Sequence, residues 1–142
     1  MARRVTIIAV AFLLVFGGGA VAFFVQTDGG AVETREVRFA ADSGQMIEAT
    51  LYVPPGASSE NPAPGVVATH GYINTRETQS PFAIEFARRG FVVLAIDQAG
   101  HGYSGPPAFA NGFGGPPALA YMRSLSFVDG ENIGLEGHSM SG

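Results

Sequence analysis

Residues 5–25 hold no charged side chain and consist of Val, Ile, Leu, Phe, Ala and Gly apart from Thr6. These 21 residues, wound as a helix at about 1.5 Å each, reach roughly 30 Å, the hydrocarbon thickness of a bilayer. The run is apolar on every face, which suits lipid or a signal segment better than one stripe against a soluble core. After residue 36 the period changes. Val37, Phe39 and Ala41 alternate with polar neighbours, Asp42-Ser43-Gly44-Gln45 offers a turn, and Ile47, Ala49, Leu51 and Val53 alternate again, predicting a β-hairpin with one buried face. Residues 66–69 are a short run without polar alternation, as in a strand covered on both sides. Phe82, Ile84, Phe86 and Ala87 recur at helical spacing, with Pro81 in the first turn and Arg88-Arg89-Gly90 as a stop. Residues 91–96 predict a second buried strand, so strand, helix and strand form a right-handed crossover. Residues 106–117 read as a Gly/Pro/Phe-rich irregular connection. Residues 119–128 predict a short helix with Leu119, Met122, Leu125 and Phe127 as its stripe, stopped by Asp129-Gly130, and residues 133–136 predict a third buried strand. The order is a hairpin followed by parallel β-α-β-α-β, an α/β arrangement.

The flanks of the apolar run give it a direction. Arg3 and Arg4 precede it and Asp28 and Glu33 follow, so the positive-inside rule puts the remainder of the chain outside the cytoplasm. A cleaved signal peptide is the competing reading: residues 5–16 as its apolar region, Gly17-Gly18-Gly19 as the helix break and Ala20-Val21-Ala22 as the cleavage site. Phe23-Phe24-Val25 prolongs the apolar stretch past that site and favours a retained anchor. Either reading exports the rest. The organisation expected is a signal-anchor or transmembrane segment over residues 1–25, a flexible linker with Gly29-Gly30 over residues 26–35, and a domain over residues 36–142.

Charge and composition then exclude several functions. Setting Arg3 and Arg4 aside, six basic residues face twelve acidic ones, and a surface of that sign does not bind a phosphate backbone, so nucleic acid is not expected as a partner. With no Cys there is no disulfide framework, thiol nucleophile or thiolate metal site, and the three His residues lie far apart. No metal or other cofactor is expected.

Candidate chemistry lies at the strand ends. Residues 137–142 read Gly-His-Ser-Met-Ser-Gly directly after a predicted strand. Small residues two before and two after a serine permit a strained turn that lifts its hydroxyl clear of the backbone. Gly137 meets the first demand, Ser141 meets the second approximately, and Gly142 comes one position late. Taken alone, the segment leaves a glycine-rich loop holding an incidental serine as the lesser alternative. Two further strands end in comparable loops, His70-Gly71-Tyr72 and Asp97-Gln98-Ala99-Gly100-His101-Gly102-Tyr103-Ser104.

In order and spacing these three segments resemble the α/β-hydrolase superfamily over residues 37–142, nearest to the serine-hydrolase branch of esterases, lipases and serine aminopeptidase-like proteins. The resemblance implies the N-terminal half of that fold, with Ser139 as nucleophile. It also implies an oxyanion hole made by the main-chain N–H groups of Tyr72 and Met140, Gly71 allowing the close approach. His70 and His101 are expected to hold loops, His138 to point away from substrate, and Asp97 and Asp129 to satisfy turn N–H groups. Phe109, Phe113 and Tyr121 read as core aromatics, with an acyl pocket as the alternative. The substrate expected is a small-molecule or peptide ester or amide, with the membrane met through the N-terminal helix. The oligomeric state is not legible.

The family's order is Ser, then Asp or Glu, then His, and no acid or base follows Ser139 in this sequence. The expectation is therefore an N-terminal part of a longer protein, or a gene fragment, nearly inert by itself and with an unpaired apolar edge at the strand before Ser139. A membrane-anchored module that binds without turnover is the reading from a different class.

Overall fold

The computed structural model describes residues 2–142. Helix α1 (Ala2–Thr27) is one continuous rod with no buried residue, and Gly17-Gly18-Gly19 lie within it unbroken. It is long and apolar enough to cross a membrane. Strands β1 (Glu33–Ala40) and β2 (Met46–Val53) form the expected hairpin. Then come β3 (Ala63–Thr69), α2 (Ser80–Ala87), β4 (Val92–Ile96), α3 (Gly115–Ser124) and β5 (Val128–Gly137).

The five strands make one sheet in the order β1-β2-β4-β3-β5. β1, β2 and β4 pair antiparallel, whereas β4, β3 and β5 are parallel. Alternation along the strands fixes what each face meets. Val92, Leu94 and Ile96 of β4 join Ile47, Leu51 and Val67 under α3, which contributes Ala118 and Met122. Val93 and Ala95 point the other way, joining Val66 and Ala68 under Ala83, Ile84 and Ala87 of α2. A sheet covered on both sides needs apolar residues at consecutive positions, which is why all five residues of β4 are buried. Gly65 on β3 lets α3 come close, since a Cβ there would stand 2.7 Å from Met122 Cε.

Three expectations are corrected. The segment expected as a flexible linker over residues 26–35 is fixed: Gln26 and Thr27 belong to α1, a hydrogen-bonded turn follows, Val32 is buried, and β1 already begins at Glu33. Arg88 at the end of α2 grips this turn, with Nε 3.0 Å from Asp28 Oδ1 and Nη2 donating to the Val25 carbonyl at 3.4 Å. The helix expected over residues 119–128 runs instead from Gly115 to Ser124, because Pro116 and Pro117 fall in the first turn, where no N–H is required. Leu125 turns to extended geometry, and Leu125 and Phe127 reach the core from outside the helix. The last strand is longer than residues 133–136. It starts at Val128 and changes register opposite Pro64/Gly65. Only one side of β5 is paired, and Leu135 remains 72% exposed.

Candidate active site

The parallel strands end side by side, so the loops after β3, β4 and β5 converge on one rim of the sheet. Ser139 stands at that rim directly after β5 with φ +60, a left-handed conformation rare for any residue but glycine. A short 3₁₀ turn, Ser139–Ser141, follows. The tightness is measurable at Gly137, where a Cβ would fall 2.3 Å from the Ser141 carbonyl oxygen. Ser141, two residues after Ser139, fits because its hydroxyl turns toward β3, 3.0 Å from the Thr69 carbonyl and 2.9 Å from that of His70. No local pattern along the chain signals this tie. His138 N–H donates to the Thr69 carbonyl as well, so the serine turn is bound to the start of the loop after β3.

That loop touches the serine. A Cβ on Gly71 would lie 3.1 Å from Ser139 Cβ and 3.2 Å from His138 Cδ2. His138 therefore packs beside this loop. Ile73 has φ +53, which for a β-branched residue is a strained geometry of the kind that collects at functional sites. Among the described residues, neither the Tyr72 nor the Met140 main-chain N–H donates to an acceptor in the chain.

Both ends of the loop are anchored to the end of β4. At the near end His70 is fully buried. Its Nδ1 donates to the Gly71 carbonyl at 2.8 Å, its Nε2 accepts from Gln98 N–H at 3.0 Å, and the Gln98 amide donates to the His70 carbonyl. Burial holds its pKa below the ordinary imidazole value, opposed by the Gly71 carbonyl. With both ring nitrogens engaged and the neutral form favoured, His70 is a brace.

At the far end the Arg76 N–H donates to Asp97 Oδ1 at 2.9 Å and its Nη1 to Oδ2 at 2.9 Å, while Nη2 meets Glu36 on β1 at 2.5 Å. Asp97 is completely buried and also accepts from Tyr103 N–H. Gly102 follows from this: at φ +51, a Cβ would collide with the Asp97 carboxylate at 2.2 Å. The Asp97 turn role was legible in sequence, whereas its Arg76 partner, 21 residues earlier, was not.

Among the described residues no histidine hydrogen-bonds the Ser139 hydroxyl, and His101 Nδ1 faces the Ala99 carbonyl at 3.2 Å. Glu136, just before the turn, has its carboxyl pKa raised by burial, with His138 opposing. Asp129 is remote at the other end of β5, bonded to Glu131 N–H and the Asn132 amide. Among the described residues no cluster of His, Cys, Asp and Glu suits a metal ion.

The candidate aromatics separate. Tyr121 stacks on Phe39 in the core at 4.6 Å between centroids. Phe109, 44% exposed, stacks instead on Tyr72 at 6.1 Å and meets His101 and Phe113.

The sequence profile of the family described as serine aminopeptidase, S33, matches residues 60–124, which include the loops after β3 and β4. No curated protein matches the chain. Among solved structures, a hypothetical protein from Pseudomonas aeruginosa is 30% identical, with a TM-score of 0.67 over 75% of this chain and 35% of its own. An acetyl xylan esterase from Paenibacillus sp. R4 is 21% identical with a TM-score of 0.68, covering 78% of this chain and 42% of its own. An esterase from Pyrococcus furiosus is 22% identical with a TM-score of 0.61, covering 77% and 41%. The chain thus spans 35% to 42% of the length of these three structures.

Proposed function

We propose that the chain is part of an α/β-hydrolase-type serine hydrolase, as the S33 profile and the similar solved structures support, and that it cleaves an ester or amide through an acyl-enzyme on Ser139. The observation that carries this is the left-handed Ser139 held against Gly71. In the reaction Ser139 Oγ bonds to the carbonyl carbon and gives its proton to a base, and the carbonyl π pair becomes the oxyanion. The Tyr72 and Met140 N–H groups receive that charge. Each such donor contributes about 3 to 4 kcal/mol of transition-state stabilisation, so main-chain geometry outweighs side-chain identity here. Collapse of the oxyanion expels the alcohol or amine, which takes up a proton, and water then releases the acid.

The solved esterases support an ester, and the aminopeptidase profile keeps an amide in view. Helix α1, apolar throughout and with no buried residue, supports a membrane tether with the catalytic part outside the cytoplasm. Secretion after cleavage near Ala22 is the alternative. The experiment is fluorophosphonate labelling of the protein produced from its own gene. We expect labelling in the membrane fraction, lost on Ser139→Ala. A protein that stays unlabelled is a membrane-anchored binding module instead, and one that labels equally after the substitution carries its reactive nucleophile elsewhere; either result rejects the proposal.

A further inference from the structure

Among the described residues, the loops beside Ser139 expose large apolar side chains. Tyr72 is 59% exposed, Ile73 81% and Phe109 44%, although residues of these types ordinarily seek the core. They are held there by the backbone. Phe109 N–H donates to the Ala99 carbonyl at 3.1 Å, and Ala99 N–H donates to the Phe113 carbonyl at 3.1 Å, so the loop after β4 is pinned to the strand end that also braces His70. Phe109 and Phe113 both adopt positive φ, +62 and +60. Non-glycine residues in that region are strained, and here the strain turns Phe109 toward Tyr72. The Tyr72 and Phe109 rings lie 19° from parallel, and the His101 ring is 5.3 Å from that of Phe109. Contact continues from Ser139 to Gly71, and through Tyr72 to Phe109.

We propose that Tyr72 and Phe109 are specificity-determining residues, their rings forming a wall for an aromatic ring carried close to the scissile carbonyl. The inference rests on Ser139 being the nucleophile. Flat π faces take another ring in offset stacking, an attraction beyond the apolar area buried, whereas an aliphatic group of the same size gains the area alone. The ring belongs to the acyl part or to the alcohol part, and the test separates the two. Tyr72 has two roles here, its N–H toward the oxyanion and its ring toward the substrate, and a leucine retains only the first.

The measurement is kcat/KM of the protein produced from its own gene, followed by acid release, on two matched pairs. Ethyl phenylacetate against ethyl cyclohexylacetate places the ring on the acyl side. Benzyl acetate against cyclohexylmethyl acetate places it on the alcohol side. In one pair the aromatic ester is expected to be favoured about three- to tenfold, the range for an aromatic pair. Phe109→Leu and Tyr72→Leu are each expected to bring that ratio close to one, both positions being exposed enough to leave the core intact. Ratios within about twofold of one in both pairs, where stacking contributes less than its usual range, overturn the proposal. So does a preference that survives both substitutions. Fluorophosphonate labelling is run alongside: a protein labelled at Ser139 but without ring preference retires only the aromatic wall, and an unlabelled one retires the nucleophile and the wall together.

Discussion

Replacing Arg76 by Met removes the cation facing a carboxylate that has no access to water. Arg76 is 8% exposed and Asp97 fully buried, and their 2.9 Å contact is the innermost of the ion pairs. Deleting one partner of a buried pair costs about 3–5 kcal/mol, because the other charge stays behind unpaired. Asp97 retains the Arg76 and Tyr103 main-chain N–H donors, which places the expected loss near the lower bound, about 3 kcal/mol. Against a total stability of about 5–15 kcal/mol this is a large fraction, and it lowers Tm by roughly 10 °C. Asp97→Asn in the same background removes the stranded charge and is expected to recover about half of the loss, leaving the double variant about 1.5 kcal/mol below the parent. Glu36→Gln acts as the control, since the Glu36 side chain is 65% exposed and such pairs are worth about 0–1 kcal/mol. The chain has no Trp, so unfolding is followed by far-UV circular dichroism against temperature and urea. An Arg76→Met protein within about 1 kcal/mol of the parent, the range of surface pairs, refutes the reasoning, as does a double variant no more stable than the single one.

Three further outcomes follow from the same geometry. Gly137→Ala brings a Cβ to 2.3 Å from the Ser141 carbonyl oxygen and is expected to abolish Ser139 labelling; labelling at the parental rate would show that the turn relaxes freely. His70 has its pKa depressed in the folded state by burial, so its contribution to stability is complete above the unfolded value of 6.5 and is lost as pH falls below it. His70→Gln should flatten the fall of Tm between about pH 7 and pH 5, and an unchanged slope would assign that fall to other groups. Ser141→Ala removes the hydroxyl that ties the serine turn to the Thr69 and His70 carbonyls, and is expected to lower Tm by the equivalent of about 1 kcal/mol. No shift in Tm would show that tie to be idle.

The sequence by itself determined the parts whose signals are local. Alternation in β2, consecutive apolar residues in β4 and the unbroken run of α1 each state which faces of an element are apolar, and the structure departs from this in β2 at Tyr52, which is buried on the second face of the sheet. Gly137 before Ser139 marked a turn too tight for a side chain, because backbone sterics act between near neighbours. The start of α3 was hidden by the Gly and Pro residues that open it, which read as loop although prolines suit a first helical turn. Tertiary structure alone decided what depends on residues distant along the chain. The supposed linker is held by Arg88, 60 residues beyond Asp28. Tyr121 and Phe109, alike as aromatics in sequence, part company because one falls under Phe39 and the other beside Tyr72. Arg76 finds Asp97 only once β3 and β4 lie parallel and their ends align. Periodicity reports which face of an element is covered, whereas contact between loops is set by the order of strands in the sheet, and no local pattern encodes that order.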